Sequence, residues 1–361
     1  MPTEAGRRPR QVVMVGPSPG ARGGMASVVK TLLEHGYEDG GHCRFIASHV
    51  DGSPLAKAGR AAAALAEFGA LLIRGKVALL HVHVASGVSF WRKAAFMALA
   101  HARGVPVIFH LHGGQFRDYI EHLPPVRRRR ALALIGKSRA AFALTQASAE
   151  WLRGTCHVEQ VEVFPNPIAI HPVDPATMRA NRGSEILFLG RLEEKKGVFD
   201  LLRAFALVHA GLPEARLVLG GDGDQAPVLA LAKELKIEQF VKCPGWIGPE
   251  QKALLLARAA VFVLPSHHEQ MPMTILEALS FGTPVVASNV GAIADMLAYG
   301  NSGSVVPVKE IAVLAASILR IMTDNIRTDM MAVRGLERVK SEYMVETVIL
   351  RLRRRYEELA A

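Results

Sequence analysis

Two carboxylates, Glu269 and Glu277, bracket a proline in the run Glu269-Gln-Met-Pro-Met-Thr-Ile-Leu-Glu277. In one continuous helix, eight steps of about 100° would set the two acids about 80° apart. Proline is tolerated in the first turn of a helix and breaks its interior. The spacing therefore predicts Glu269 in a loop, a helix starting near Pro272, and Glu277 about one turn inside it. A helix start offers free N–H groups to an anion, so Met271, Pro272, Met273 and Thr274 are candidate phosphate contacts. An acid on either side can accept hydrogen bonds from sugar or ribose hydroxyls. A phosphate flanked by two hydroxyl-binding acids describes a nucleotide-sugar site.

A second basic element belongs with it. Gly190-Arg191-Leu-Glu-Glu-Lys-Lys196-Gly197 follows an apolar run that reads as a strand and precedes a helical pattern. Arg191 and Lys196 there could clamp a diphosphate, arginine bidentately; the bland alternative is a solvated loop. Pro17-Ser-Pro-Gly-Ala-Arg-Gly23-Gly24 follows the first strand, and its backbone N–H groups could approach a phosphate. It is not a GxGxxG fingerprint, and Asp39, in a turn-like Glu-Asp-Gly-Gly, is poorly placed for a dinucleotide ribose, so NAD binding is disfavoured. His110 and His112 alternate onto one face of a strand before Gly113-Gly114. His112 could hydrogen-bond a sugar hydroxyl, and its backbone carbonyl could face a developing cation. His81 and His83 form a similar pair, read as structural. Asp222-Gly-Asp224 is explained by turn chemistry without a metal. His267-His-Glu269 lacks a third ligand at sensible spacing.

These groups need a scaffold. Gln11–Gly16, Val77–Val84, Val105–His110, Ala140–Thr145 and Gln160–Phe164 read as strands separated by helical patterns. After a Pro-rich linker that starts at Phe164-Pro-Asn-Pro-Ile168 and runs past His171-Pro and Asp174-Pro, the alternation restarts. Glu185–Gly190, Arg216–Gly220, Phe240–Cys243, Ala260–Leu264, Pro284–Ser288 and Ser304–Val306 are the second set. Such alternation predicts parallel sheets covered by helices, here an α/β protein of two Rossmann-like domains facing across a cleft. Ligands then bind beyond the carboxyl ends of the strands, and closure about the linker near 165–175 would exclude water. The expected domains are 1–168 for the acceptor and 169–342 for the nucleotide-sugar, with a helix in 343–361 packing back on the first.

At 361 residues, with 50% hydrophobic and 21% charged residues, the chain is long enough for two globular domains. Its three cysteines, Cys43, Cys156 and Cys243, suit neither a disulfide framework nor a zinc site, which points to a reducing compartment. No apolar run reaches the ~20 residues a bilayer span needs; Ala61–Ile73 is too short and holds Glu67. Residues 1–168 carry 21 Lys and Arg against 11 Asp and Glu, a net +10, whereas 169–361 balance at 22 each. The basic half invites an anionic partner. Arg127–Arg130 before Ala131-Leu-Ala-Leu-Ile135 suits a helix lying on an anionic membrane, and no aromatic-interleaved basic motif supports nucleic acid. The expected location is cytoplasmic, peripheral on the inner face of the cytoplasmic membrane.

Taken together, Arg191 with Lys196-Gly197, Glu269 through Glu277, Gly282-Thr-Pro-Val-Val-Ala287 and Val290-Gly291 through Pro307 resemble the family 4 glycosyltransferases, retaining enzymes of the GT-B fold. The run His81-Val-His-Val-Ala-Ser86 with His110-Leu-His-Gly-Gly-Gln-Phe116 looks like bacterial exopolysaccharide and lipopolysaccharide enzymes. The resemblance implies that Arg191 and Lys196 bind the donor diphosphate, that Glu269 contacts the donor sugar and Glu277 the ribose, and that His112 lies near that sugar. It implies transfer of a hexose from a UDP- or GDP-linked donor to a glycan acceptor with no metal or other cofactor, and the basic face of the first domain matches a lipid-diphosphate-linked acceptor at a bilayer. This chain has Gln270 where the family usually has glycine. It has Gly291-Ala-Ile-Ala-Asp295 where members often have Gly-Gly-x-x-Glu. Other GT-B roles, such as an epimerase, a phosphorylase or a non-catalytic binding subunit, are the alternatives, and the intact donor set argues against the last.

Overall fold

The structure, a computed structural model, describes residues 10–21, 23–170 and 182–360. The part of the expected linker at 171–175 lies outside the described residues. The chain divides into two compact units: Met1–Pro167 joined by Val345–Ala361, and Ile168–Met344.

The first unit is built on a six-stranded parallel sheet. Its strands are β1 (Gln11–Gly16), β2 (Cys43–Ala47), β3 (Val77–Val84), β4 (Val107–Leu111), β5 (Ala140–Ala143) and β6 (Val161–Val163), in the order β2-β1-β3-β4-β5-β6. Helices α1 (Gly24–Glu34), α2 (Pro54–Ile73), α3 (Val88–Ala102), α4 (Phe116–Glu121), α5 (Pro125–Gly136) and α6 (Gln146–Gly154) fall between the strands. Central strands covered on both faces must be apolar throughout. Accordingly Val13, Val15, Leu80, Val82, Phe109 and Ala141 are all fully buried. Strand β2 has no counterpart in the sequence reading. It is an edge strand bonded only to β1, so its Arg44 and Phe45 stay half-buried and its apolar signal is weak. The Ala61–Ile73 run sits within α2, which Ser53 caps by accepting from the Ala56 N–H. Glu67, the residue that interrupts it, holds Arg44 at 2.6 Å.

Phe164–Ile168 is extended but packed. The Phe164 N–H donates to the Ala143 carbonyl at 2.8 Å, and its ring stacks on Phe142 at 4.6 Å. The final helix, Val345–Ala360, belongs to the first unit and sets Tyr356 against His81.

The second unit repeats the design with β7 (Glu185–Leu189), β8 (Arg216–Gly220), β9 (Val241–Gly245), β10 (Val261–Leu264), β11 (Val285–Ser288) and β12 (Ser304–Val306). The order is β12-β11-β10-β7-β8-β9, and every pairing is parallel. The chain winds outward from β7 through β8 and β9, then returns to β10 on the other side. Strands β7 and β10 therefore flank the switch point, and the loops leaving their carboxyl ends are neighbours there. In the first unit the same argument picks out β1 and β3.

Candidate functional site

The two loops at the second switch point carry the groups that the spacing singled out. After β7 the chain passes Arg191, makes a short 3-10 turn at Glu194–Lys196 and enters the helix Val198–Gly211 through Gly197. Gly197 has φ +72°, and a Cβ there would lie 2.0 Å from the Pro265 carbonyl oxygen. Only glycine lets the loop lie this close to the segment leaving β10. The His267 N–H donates to the Lys195 carbonyl across the same seam at 2.9 Å.

That approach brings Lys196 Nζ to 2.6 Å from Glu269 Oε1, and Ser266 Oγ donates to the same oxygen at 2.9 Å. Glu269 is in a loop, as its spacing predicts, and its side chain is 11% exposed. Gly291 seals the far side: at φ +59°, its Cβ would meet the Glu269 and Gln270 carbonyls at 2.4 and 2.6 Å. Pro272 caps the helix Met273–Ser280, whose first turn has no side-chain cap and no acid. Met271 and Met273 are buried. Glu277, one turn in, pairs with Lys252 at 2.6 Å. Lys252 lies on the helix Pro249–Arg258, which follows the exposed Trp246. The sequence reading missed Lys252, since only the folded chain sets it against Glu277.

The same unit explains the motifs set aside as non-metal. Asp222 and Asp224 form a turn that bridges to Leu192, with Asp224 accepting from the Ala226 N–H at 3.0 Å. His267 contacts Asp200 at 2.7 Å. Among the described residues neither set joins a three-ligand metal group.

In the first unit, four histidines form two hydrogen-bonded pairs, one over the other. His81 Nε2 meets His110 Nδ1 at 3.1 Å, and His83 Nδ1 meets His112 Nε2 at 2.8 Å. Ring centroids along each strand are 4.6 Å apart for His81 and His83, and 4.1 Å for His110 and His112. Tyr356 Oη closes the column at 2.6 Å from His81 Nδ1. Period-two alternation with His83 in register beside His110 puts all four on one face. Burial, with His112 adding charge repulsion, pushes His81 down to about 3; burial, with Lys93 adding repulsion, does the same for His112. Neutral imidazoles are what such a column requires. Nitrogen atoms of His81, His83 and His110 lie within 4.8 Å of one another. His83 turns Nδ1 toward β4, however, and His110 turns Nδ1 toward β3. That leaves the Nε2 atoms of His83 and His110 without a hydrogen-bond partner. His81 and His83, read from sequence as structural, thus orient His112.

Two family models match successive stretches of the chain: "Glycosyltransferase Family 4" over residues 22–171 and "Glycosyl transferases group 1" over residues 176–338. The chain belongs to the family 4 glycosyltransferases. It is 27% identical over 297 residues to a phosphatidyl-myo-inositol mannosyltransferase of Mycobacterium leprae, covering 80% of this chain and 75% of that one. It is 30% identical over 166 residues to a glycogen synthase of Mycobacterium tuberculosis, covering 46% of this chain and only 40% of that protein. The chain thus matches less than half the length of that curated relative. Among solved structures, Anabaena HepE in complex with UDP-glucose superposes with a TM-score of 0.76 at 19% identity, covering 96% of this chain and 99% of that one. That likeness carries the GT-B fold.

In this family 4 glycosyltransferase the expected donor residues fall unevenly. Lys196, Glu269, Met271, Pro272, Met273, Thr274 and Glu277 gather around one helix start at the second switch point. Arg191 leaves the same loop but is 70% exposed, with Glu193 3.9 Å away. His112, Gly23 and Gly24 lie in the first unit. Gly23, at φ +115°, is the N-cap of α1, and Gly24 is its first residue. No helix among the described residues is long and apolar enough to cross a membrane.

Proposed function

We propose that this protein is a retaining glycosyltransferase of bacterial polysaccharide biosynthesis, moving a hexose from a nucleotide-sugar to a lipid-linked glycan. The observation that carries the reading is the Lys196–Glu269 pair on adjacent loops beside the uncapped start of Met273–Ser280, with Glu277 one turn behind. A diphosphate fits that helix start and Lys196, while Glu269 accepts from sugar hydroxyls and Glu277 from the ribose. Arg191, largely exposed beside Glu193, can fold onto the diphosphate bidentately. UDP is favoured over GDP by the UDP-glucose held in HepE.

In the reaction the bond between the anomeric carbon and the diphosphate oxygen breaks, and the acceptor oxygen bonds to that carbon on the same face. The acceptor's proton passes to the departing diphosphate. No metal is needed, because Lys196 and Arg191 meet the growing negative charge. Losing one such preorganised donor costs roughly 10²–10³ in rate.

The first unit holds the acceptor in this reading. Arg127–Arg130 are exposed and make no ion pair among the described residues, and the neighbouring Val126 is 54% exposed. A basic, partly apolar helix start of this kind suits the anionic inner face of a membrane.

The test is a thermal-shift panel with UDP, GDP, dTDP, ADP and NAD in EDTA, followed by turnover of Lys196→Ala. A ligand at ~100 times its dissociation constant should add roughly 2.7 kcal/mol of stability. A shift with one nucleoside diphosphate and a collapse of turnover in Lys196→Ala are expected. A shift with NAD alone, or near-normal turnover in the folded variant, overturns the reading.

A further inference from the structure

The inner face of α3 carries a cation where an apolar residue is expected. Phe90, Phe96, Met97 and Ala100 on that face are buried, and so is Lys93, at 1% exposure. Lys93 makes no hydrogen bond or ion pair among the described residues. A buried lysine without a counter-charge is strongly unfavourable unless something compensates it.

Its surroundings add to the problem. Arg92 precedes it, with a buried Nε that has no partner. His49 follows β2, and its buried Nδ1 also has no partner. The backbone carbonyl of His49 accepts from the Ser18 N–H at 2.7 Å, which ties it to the glycine-rich loop after β1. Lys93 and Arg92 lie on the helix after β3. The groups thus come from segments that follow β2, β1 and β3, around the first unit's own switch point. Burial foremost, with Arg92 beside it, pushes Lys93 down to about 7; burial likewise lowers His49, His83 and His112, with the charge of Lys93 a smaller contribution to each. Asp51 lies 3.8 Å from His49 Nε2, on the far side of that ring from the unpartnered Nδ1.

We propose that Lys93, with Arg92 and His49, forms an anion subsite in the first unit that takes a phosphate group of the acceptor. A phosphate oxygen supplies the missing counter-charge for Lys93, and the N–H donors of Arg92 and His49 complete its shell. The subsite uses none of the second unit's donor residues, and lies within electrostatic reach of His112. Its assignment to the acceptor rests on the proposed function; its affinity for phosphate does not.

Inorganic pyrophosphate is the probe, read by thermal shift and calorimetry. The proteins are the wild type, Lys93→Met, and the donor-site double variant Arg191→Ala/Lys196→Ala. Lys93→Met keeps the volume and removes the buried charge, so it should fold with an unchanged or higher Tm; Arg92→Gln is the second variant. Pyrophosphate binding should survive in the donor-site variant and weaken at least about tenfold in Lys93→Met. Undiminished binding in Lys93→Met, or no pyrophosphate binding to the donor-site variant, overturns the subsite. UDP binding to Lys93→Met reports on the donor reading separately and should be unchanged. To find the source of the phosphate, flotation with neutral phosphatidylcholine vesicles containing a polyprenyl phosphate is compared with the soluble probe. Recruitment that Lys93→Met abolishes identifies a lipid phosphate; pyrophosphate binding without recruitment identifies a soluble phosphorylated acceptor.

Discussion

The Lys196–Glu269 contact can be dissected by a double-mutant cycle of Lys196→Met, Glu269→Gln and both together. At 2.6 Å, two unit charges in an effective dielectric of about 20 attract by about 6 kcal/mol. Desolvation of Glu269, whose side chain is 11% exposed, offsets much of this. Exposed pairs are worth up to about 1 kcal/mol, and breaking buried ones costs about 3–5. A pair with side chains at 28% and 11% exposure falls between, so the coupling should be about 2 kcal/mol. Each single variant should lose roughly 2–3 kcal/mol in urea unfolding, the remaining partner being left unpaired. The double variant should lose clearly less than the sum. A coupling energy below about 0.5 kcal/mol would show that the two side chains meet without holding each other. The close approach at Gly197, and not this pair, would then hold the two loops together.

Gly197→Ala should destabilise by roughly 2 kcal/mol or more, because it combines a left-handed backbone with a Cβ 2.0 Å from the Pro265 oxygen; an unchanged urea midpoint would contradict the packing. Lys252→Ala should raise KM for the donor with kcat nearly unchanged, since it frees Glu277 without touching the departing group; steady-state kinetics decide, and a kcat collapse would count against a ribose role for Glu277. Acid should unfold the first unit early. Unfolded imidazoles bind protons as pH falls through about 6.5, whereas buried His81 and His112 resist until about 3. The unfolded state therefore binds more protons in that window, and stability falls as pH drops from 6.5 toward 3, on the order of a few kcal/mol per histidine. A flat Tm between pH 7 and 4 would refute a neutral column. Replacing Arg127–Arg130 by glutamine should abolish salt-sensitive binding to anionic liposomes in a sedimentation assay while leaving UDP binding intact; unchanged sedimentation would remove the membrane contact.

What could be read from sequence follows a physical division. Strands buried on both faces announce themselves as short apolar runs, so β1, β3 and β8, interior to their sheets, are found at their observed limits. An edge strand such as β2 is half-solvated, and its Cys-Arg-Phe-Ile-Ala composition carries no such run. The start of the helix at Met273 was legible because proline chemistry is local. Lys252 was not, because its partner Glu277 is 25 residues away and is brought near only by the sheet order. Alternation put His110 and His112 on one face and likewise His81 and His83, but it could not say that β3 and β4 are neighbours. The joining of the two pairs through hydrogen bonds is a tertiary fact. Lys93 was hidden for the opposite reason: a lysine in a helical pattern reads as solvated until its burial is known.

The return of the last helix to the first unit has a consequence for synthesis. Tyr356, which closes the histidine column, and Arg351, which is bonded to Glu162 and the Val163 carbonyl, reach the ribosome's exit only after the whole second unit has emerged. The earlier-made half must wait with His81 lacking its buried phenol, while the later-made half already has every strand it needs. Vectorial folding should therefore run against chain order here, the second unit closing before the first. A nascent chain stalled near Met344 is the species most exposed to misfolding and to recognition by chaperones.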